Sequence, residues 1–433
     1  MPKWRVKLTT DVRKKLDQLL RTQYWPLPKL QELQKEKLDR LITHAYNTVP
    51  YYKNVFDNRG IKPRDIQDFS DLKKIPILKK QDLRTSLEEL ISIQYNPNEL
   101  YLNSTGGSTG VPVKVYQDQN YLSWAEAARI RSWKYFPGFD ELELEAILWG
   151  SVRDIGKGIT LNRVKSLIKK PDIILNTFDL DEKKIKRFLV LYNFLRPNLI
   201  RGYASSLFFI AQWIEKNSYN IHIPKAIVSS SETLLPNMRK KISEVFHSKI
   251  IDSYGCREVS QLATECENNN GYHMTMENQI IELVSNGNEM SKVVVTNLNN
   301  YCMPLIRYEV GDLAKGIVKE KCECGRTLSR IDKIYGRVNE NIILNNGKIL
   351  NGEYFEFLFY ENYSINKFQV IYFKKSNILK IFLDSDHEDR HIKKYLYDTI
   401  VGHYNIENIE IEFTKKFEKT PQGKFKFVWV ENK

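Results

Sequence analysis

The sequence has 433 residues, of which 42% are hydrophobic and 27% are charged, and its 66 basic and 53 acidic side chains give a net charge of +13. This length suggests two or three domains with a sizeable core, and the ordinary composition excludes a disordered, collagen-like or disulfide-scaffold chain. No stretch is apolar enough to span a membrane, the charged N-terminus does not resemble a signal peptide, and five cysteines favour a reducing cytoplasm.

The predicted elements change in character along the chain. The first 50 residues have apolar side chains at helical spacing: Leu16, Leu19, Leu20, Leu30, Leu33, Leu38, Leu41 and Ile42. From about residue 145, β-rich runs alternate with amphipathic stretches. This pattern predicts strands at 146–149, 198–203, 226–232 and 249–255, and helices at 183–195, 205–216 and 238–246. Such alternation indicates a parallel sheet covered by helices.

The C-terminal part has a different pattern. Residues 279–318 are predicted to form antiparallel strands. A last section from about residue 341 contains predicted helices at 353–360 and 388–400 and strands at 367–373, 378–384 and 408–413. We therefore expect an α/β fold with a large N-terminal domain, residues 1–336, and a small α+β domain, residues 337–433. The boundary lies near Gly336 and Arg337.

The positive charge is unevenly distributed. Residues 1–100 carry 20 basic and 13 acidic side chains, and residues 151–170 carry six and one, whereas residues 341–433 carry 14 and 13. Such a surplus suggests an anionic partner, for example a membrane surface, an acidic polymer, a nucleic acid or a nucleotide. The alternative is a solvated basic surface without a specific partner.

One segment combines three glycines with four hydroxyl residues in seven positions: Ser104, Thr105, Gly106, Gly107, Ser108, Thr109 and Gly110. Glycines let backbone N–H groups approach an anion and hydroxyl groups donate further hydrogen bonds, so the segment is suited to binding phosphate. It differs from a Walker A motif because no Gly-Lys-Ser/Thr closes it. It also matches the G-x-S-x-G motif of hydrolases, but the following Val111-Pro112 disfavours the helix that this motif requires.

Further short motifs follow in a fixed order. They are Ser229-Ser-Ser-Glu-Thr233, Tyr254-Gly-Cys-Arg-Glu258, Arg307-Tyr-Glu-Val-Gly-Asp312, Gly336-Arg337 and Thr420-Pro-Gln-Gly-Lys424. With these motifs and the segment DLKKIPILKKQDLR at 71–84, the chain resembles the adenylate-forming (acyl-CoA synthetase, AMP-binding) superfamily. Within it, the chain is similar to the phenylacetate–CoA ligase-like branch, which includes CapK-type proteins of capsular-polysaccharide biosynthesis. Two positions depart from the branch: Lys114 comes one residue late after the loop proline, and Asn339-Glu340 replaces an aspartate pair.

The resemblance implies a role for each motif. The loop from Ser104 to Gly110 would hold ATP phosphates, Glu258 would bind Mg²⁺, and Lys424 would stabilise charge at the α-phosphate and the substrate carboxylate. The other implied nucleotide contacts are Ser231, Glu232 and Thr233 at the edge of adenine, Tyr254 and Gly255 against its face, Asp312 at the ribose and Arg337 at the hinge.

The implied activity is ATP-dependent activation of a carboxylic acid to an acyl-adenylate, with release of pyrophosphate and transfer to coenzyme A. The C-terminal domain would be a mobile lid. The candidates for lining the acid pocket are Trp149, Tyr203, Ala204 and Ser229. The alternative is transfer of the acyl or aminoacyl group, without coenzyme A, to an amine or hydroxyl of a sugar or carrier in surface-polysaccharide biosynthesis.

Four residues form a second candidate site. Cys266, His273, Cys322 and Cys324 supply the Cys₃His set of a structural zinc ion, although the one-residue spacing of the last two is tighter than usual. Free thiols are the alternative. The resemblance adds weight to zinc, because some relatives in the branch carry a structural metal here, and both alternatives stay open.

A nucleic-acid-binding function is disfavoured because no RRM, KH or helix-turn-helix signature is present. The basic surplus instead suggests weak contact with an anionic membrane or an acidic glycan, and so a cytoplasmic protein that is peripheral at the membrane.

Overall fold

The computed structural model describes most of the chain. The described residues are 9–104, 113–135, 144–149, 173–177, 182–285, 290–337, 342–345, 349–350, 365–385, 390–404, 406, 408–418 and 428–431. No helix among them is long and apolar enough to cross a membrane.

The N-terminal part is helical, as the leucine spacing predicts. It contains α1 (Thr10–Thr22), α2 (Leu27–Thr48), α3 (Pro50–Asn58) and α4 (Lys80–Thr85), with short 3₁₀ helices at Pro63–Asp65, Phe69–Lys74 and Pro97–Glu99. The Thr9 hydroxyl accepts a hydrogen bond from the Val12 N–H and caps α1. Six of the eight predicted apolar positions are buried, and Leu20 and Leu33 are half-buried.

A buried polar network joins these helices to the rest of the larger unit. The Glu277 carboxylate accepts hydrogen bonds from the Thr22 hydroxyl at 2.6 Å and from the Arg131 guanidinium at 2.8 Å. The Lys37 ammonium donates to the Glu277 carbonyl at 2.7 Å, and burial lowers the pKa of Lys37 to about 8. Three separate segments therefore depend on contacts with this one residue.

A hairpin and a helix follow. Strands β1 (Tyr101–Ser104) and β2 (Lys114–Gln117) pair antiparallel, with Ser104 opposite Lys114. Helix α5 (Gln119–Trp133) begins after Asp118, whose carboxylate accepts a hydrogen bond from the Tyr121 N–H. The hairpin thus places the glycine-rich segment between its two strands.

The central sheet has eleven strands in the order β10-β11-β12-β13-β9-β8-β7-β6-β5-β3-β4. Its parallel half contains β3 (Glu145–Trp149), β4 (Ile173–Asn176), β5 (Leu199–Gly202), β6 (Ala226–Ser230) and β7 (Ile250–Cys256). The connecting helices are α6 (Glu182–Leu195), α7 (Ala204–Lys216) and α8 (Pro236–Phe246). This confirms the predicted helix-covered parallel sheet. Strand β6 ends before the predicted residue 232, because Ser231 adopts a φ of 70° that a strand does not allow.

The other half of the sheet contains six strands. They are β8 (Ser260–Glu265), β9 (Tyr272–Met274), β10 (Gln279–Ser285), β11 (Ser291–Asn297), β12 (Tyr308–Val318) and β13 (Arg330–Arg337). Of these, β10, β11 and β12 fall in the predicted range 279–318, and β8, β9 and β13 were not predicted. Pairing is antiparallel between β7 and β8, β8 and β9, β9 and β13, and β10 and β11.

The C-terminal unit has its own sheet and core. After the short strands β14 (Ile342–Ile343) and β15 (Ile349–Leu350), a four-stranded sheet has the order β18-β17-β16-β19. Its elements are β16 (Ile365–Phe373), β17 (Ile378–Ser385), α9 (Arg390–Tyr404), β18 (Ile409–Phe413) and β19 (Val428–Glu431). The predicted helix at 353–360 lies outside the described residues.

The chain divides into two compact units. The larger contains most of the residues up to Ile334, and the smaller contains Tyr335–Lys433 together with the short segments Ser108–Gly110 and Gly311–Leu313. Each unit has a separate hydrophobic core. Division into domains 1–336 and 337–433, and movement of the second as a lid, remain predictions.

Candidate active site

The β1–β2 hairpin holds the turn that follows β7. The Asn103 and Gln117 side-chain amides both donate to the Arg257 carbonyl at 3.1 Å, and the Arg257 guanidinium donates to the Ser104 carbonyl at 3.3 Å. Ser104 is therefore placed beside the segment that carries Glu258. The predicted phosphate-binding residues from Thr105 to Gly110 lie outside the described residues.

Glu258 lies in the turn between β7 and β8 and is buried. Its Oε1 accepts a hydrogen bond from the Tyr308 hydroxyl at 2.9 Å, which orients the carboxylate. Carboxylate oxygens are the hard ligands that Mg²⁺ prefers, so the donor chemistry at this position fits the predicted magnesium ion.

Tyr254 and Gly255 lie at a β-bulge between β7 and β8, where the register shifts. A Cβ atom on Gly255 would lie 2.4 Å from the Ser260 carbonyl oxygen, so only glycine fits this close approach. Tyr254 is half-buried and packs against the main core of the larger unit.

The Ser229–Thr233 segment connects β6 to the neighbouring elements. The Ser230 hydroxyl donates to the Ser253 carbonyl at 3.1 Å across the parallel pair. The Glu232 carboxylate accepts a hydrogen bond from the Ser205 N–H at 2.9 Å and thus satisfies a donor in the first turn of α7 that has no partner within the helix. Ser231, with its positive φ, lies between these two anchors.

The first residue of the Arg307–Asp312 motif makes contacts that stabilise the fold. The Arg307 guanidinium pairs with the Glu282 carboxylate at 3.0 Å and donates to the Ile75 carbonyl at 2.7 Å. It thereby attaches the KIPILKK segment to β10 and β12. Asp312 is buried within β12, directly after Gly311, whose φ is 91°. The side chain of Arg337 and all of Lys424 lie outside what the structure describes.

Three of these segments, the β1–β2 hairpin, the turn that carries Glu258 and the Ser229–Thr233 segment, adjoin at one edge of the sheet. The ends of β6 and β7, the β1–β2 hairpin and the N-terminus of α7 adjoin one another. The carboxyl ends of parallel strands are where open α/β sheets bind ligands. This arrangement brings Ser104 close to the Glu258 turn and links Glu232 to α7.

Comparison with known proteins gives the same picture. No protein-family model matches the chain. A phenylacetate–coenzyme A ligase of Thermus thermophilus is 25% identical over 332 residues, which cover 74% of this chain and 73% of the relative. Protein CapK of Staphylococcus aureus is 22% identical over 409 residues, which cover 92% of this chain and 88% of that protein.

A crystal structure of 2-hydroxyisobutyryl-CoA ligase in complex with 2-HIB-AMP shares the fold. Its TM-score is 0.76 at 16% identity, and the match covers 95% of this chain and 92% of that chain. The chain is thus similar over most of its length to phenylacetate–CoA ligases and CapK, the phenylacetate–CoA ligase-like branch of the adenylate-forming superfamily. This confirms the family and fold expected from the motifs, whereas the role of each site residue remains a prediction.

The acid-pocket candidates lie on or directly after neighbouring strands of the parallel half of the sheet. Trp149 ends β3, Tyr203 and Ala204 follow β5 at the start of α7, and Ser229 is in β6. Trp149 and Tyr203 stack with ring centroids 4.2 Å apart and an interplanar angle of 28°. Ala204 and Ser229 are fully buried. The Arg201 guanidinium, which pairs with Glu145 at 2.6 Å, lies 5.5 Å from the centre of the Trp149 ring.

The motifs did not indicate a buried acidic pair next to this site. The Asp252 carboxylate accepts a hydrogen bond from the Tyr272 hydroxyl at 2.9 Å, and the Asp252 N–H donates to Glu265 at 2.8 Å. Glu265 pairs with Arg239 at 2.8 Å. Burial, followed by the nearby Glu265 charge, raises the pKa of Asp252 to about 7. The available signal was an aspartate inside the apolar strand Ile250-Ile-Asp252.

The four predicted zinc ligands converge. Their donor atoms all lie within 4.8 Å of one another, with 3.6 Å between Cys266 Sγ and Cys322 Sγ and 3.4 Å between Cys324 Sγ and His273 Nε2. Ligands about 2.3 Å from a tetrahedral zinc ion lie about 3.8 Å apart, so the cluster has the size of a zinc site. Cys256 and Cys302 lie outside this cluster and form no disulfide.

Proposed function

We propose that this chain activates a carboxylic acid with ATP and transfers the acyl group to coenzyme A. A carboxylate oxygen would attack the α-phosphorus, and the bond to pyrophosphate would break. The coenzyme A thiol would then lose its proton and attack the acyl carbon, releasing AMP. The observation that carries the proposal is the meeting of the hairpin, the Glu258 turn and the Ser229–Thr233 segment at the carboxyl edge of the sheet.

In this proposal, several of the described site residues bind ATP or Mg²⁺. Ser104 and the following loop would bind the phosphates, the segment from Ser231 to Thr233 would contact the edge of adenine, and Asp312 would accept hydrogen bonds from the ribose hydroxyls. Glu258 would hold Mg²⁺, which neutralises phosphate charge when bound. Tyr308 would orient the Glu258 carboxylate.

Acid-dependent ATP–pyrophosphate exchange tests the adenylation step. A panel of aryl, short-chain and hydroxylated acids should include at least one that promotes exchange. Glu258→Gln should lower that exchange by two or more orders of magnitude, while Glu244→Gln, on the outer side of α8, should not. A panel without any exchange-promoting acid would refute the proposal.

A second acceptor is supported by the CapK relative, whose match covers 92% of this chain. In this alternative, an amine or hydroxyl of a sugar or carrier takes the acyl or aminoacyl group, and coenzyme A has no part. Product analysis with and without coenzyme A distinguishes the two acceptors. AMP formed at the same rate in both, with no thioester, would favour the alternative.

We also propose that Cys266, His273, Cys322 and Cys324 hold a structural zinc ion. Four protein ligands would leave no open coordination position, so the ion would stabilise the fold and not take part in the reaction. Thiolate ligands of this kind, together with cysteines that form no disulfide, fit a reducing cytoplasmic location.

A further inference from the structure

Helix α6 has an exposed face of two parts. Lys183, Lys186 and Arg187 are exposed or half-exposed in its N-terminal half. In its C-terminal half, Val190 is 61% exposed, Leu191 41% and Phe194 80%. At 100° per residue these six side chains fall on one side of the helix, and we call them the α6 face.

The opposite side of α6 holds the helix in place. Ile185, Phe188, Leu189 and Tyr192 are buried, and the helix packs on β4 at the end of the central sheet. The Tyr192 hydroxyl donates to the His222 carbonyl at 3.0 Å, and the Asn193 side chain bonds to the backbone of both Asn220 and His222. The fold of α6 therefore rests on its inner side and does not need the exposed apolar residues.

Exposed apolar residues on an anchored helix indicate a binding surface. A contiguous apolar patch rimmed by polar groups is typical of an interaction site. Ile223, 52% exposed, follows the His222 backbone that bonds to α6 and extends the apolar side. The patch is flanked by cations.

The positive charge of the α6 face favours an anionic partner. Three basic side chains of the α6 face are accompanied by a single acidic residue of the helix, Glu182, which pairs with Lys186 at 3.1 Å. Contact with a second copy through the same face would remove these cations from water with few acidic partners, which is costly. An anionic lipid surface offers both negative charge and an apolar layer.

We propose that the α6 face docks this protein on an anionic lipid bilayer. Lys183, Lys186 and Arg187 would contact the lipid headgroups. Leu191 and Phe194 would enter the boundary between headgroups and acyl chains. Each cation near an anionic surface contributes about a fivefold increase in partitioning. Attraction between exposed charges is screened over about 8–10 Å at physiological ionic strength, so binding should be sensitive to salt.

Co-sedimentation of the full chain with vesicles tests the proposal. Vesicles of phosphatidylcholine with about one-third phosphatidylglycerol should bind the protein at low ionic strength, and pure phosphatidylcholine vesicles should bind at least about tenfold less. Lys183→Glu combined with Arg187→Glu should lower binding by about tenfold or more, as should Leu191→Ser combined with Phe194→Ser. The matched controls, Lys216→Glu with Lys240→Glu and Phe209→Ser, change exposed residues of α7 and α8 and should keep full binding.

Two results would overturn the proposal. One is the absence of binding to anionic vesicles by the unmodified chain at low ionic strength. The other is self-association of the chain that Phe194→Ser abolishes while vesicle binding is unchanged, which would assign the face to a second copy. Circular dichroism melting checks that each variant folds. Acid-dependent exchange with a soluble acid should be unchanged in all variants, so this test is independent of the proposed enzymatic function.

Discussion

Asp252 is the residue with the most unusual environment near the carboxyl edge of the sheet. Its carboxylate lies beside Glu265, and its negative charge is favoured mainly by the Tyr272 hydroxyl and, more distantly, by Arg239. Two carboxylates in a buried site repel each other, so one of them retains a proton. The pKa of about 7 makes this group sensitive to neutral pH.

Replacement of this residue should change the pH dependence of stability. The pKa of Asp252 is raised from 3.8 to about 7 in the folded chain. Its contribution to stability is full below about pH 4 and is lost as the pH rises to about 7, at ~1.4 kcal/mol per pH unit. The side chain introduced by Asp252→Asn does not titrate. The free energy of unfolding of this variant, relative to that of the wild type, should therefore be about 2 kcal/mol higher at pH 8 than at about pH 5.5. Urea unfolding at both pH values measures this, and a constant difference would contradict it.

Gly255 allows a second test at a single position. Gly255→Ala would press a methyl group against the Ser260 carbonyl and should cost about 2 kcal/mol or more, together with weaker ATP binding. Gly402→Ala is the matched control, because nothing lies within 4 Å of the position that an alanine methyl group would take at this point of α9. That variant should gain up to about 1 kcal/mol from higher helix propensity. Chemical unfolding measures the stability of the two variants, and titration with ATP measures their affinity. Equal effects of Gly255→Ala and Gly402→Ala would contradict the prediction.

The cysteine–histidine cluster is an element of the structure that we expect to depend on metal. Purified protein should contain about one zinc per chain, and chelation should lower the melting temperature, because binding of a structural ion contributes directly to folding. Cys322→Ser should lose the metal and show the same lower melting temperature without chelator. Cys256→Ser, outside the cluster, should keep the metal. Metal-free protein with unchanged melting in EDTA would exclude the zinc site.

We expect the stability of the N-terminal helices to depend on Glu277. Glu277→Gln would leave the buried Arg131 guanidinium without its counter-charge and should cost about 3–5 kcal/mol. The double variant Glu277→Leu with Arg131→Met should cost less than the sum of its single variants. Glu215→Gln breaks the exposed pair with Lys241 and should cost less than about 1 kcal/mol. Urea unfolding of all variants tests this, and additive costs would contradict the coupling.

At the scale of the whole molecule, we expect from the family resemblance that Lys424 takes part in the proposed reaction. Lys424→Ala should lower acyl-adenylate formation by about 10²–10³ because the contact is made mainly in the transition state. Thioester formation from prepared acyl-adenylate should be retained. Lys416→Ala, at an exposed position in the same unit, should leave both steps unchanged. Adenylation near the wild-type rate in the Lys424 variant would remove this residue from the mechanism.

Much of the larger unit could be predicted from local pattern. The alternation of apolar runs and amphipathic stretches located the helices and strands from α6 to β7 to within a few residues, because periodicity reflects burial of a side of each element. The ligand types of Cys266, His273, Cys322 and Cys324, with the family resemblance, suggested a shared metal site with free thiols as the alternative, and the structure brings the four side chains together. Their separation along the chain gave no distances.

The sequence by itself therefore determined the family resemblance and the order of the elements from α6 to β7, since both depend on residue types and short spacing. The tertiary structure alone decided which distant residues meet. Thr22 meets Glu277 across 255 positions, and Asn103 meets the Arg257 carbonyl across 154. It also decided that Asp252 is buried beside Glu265, and that Phe194 remains exposed while Phe188 is buried. Burial and long-range hydrogen bonding depend on how sheets and helices pack, and no local pattern contains that information.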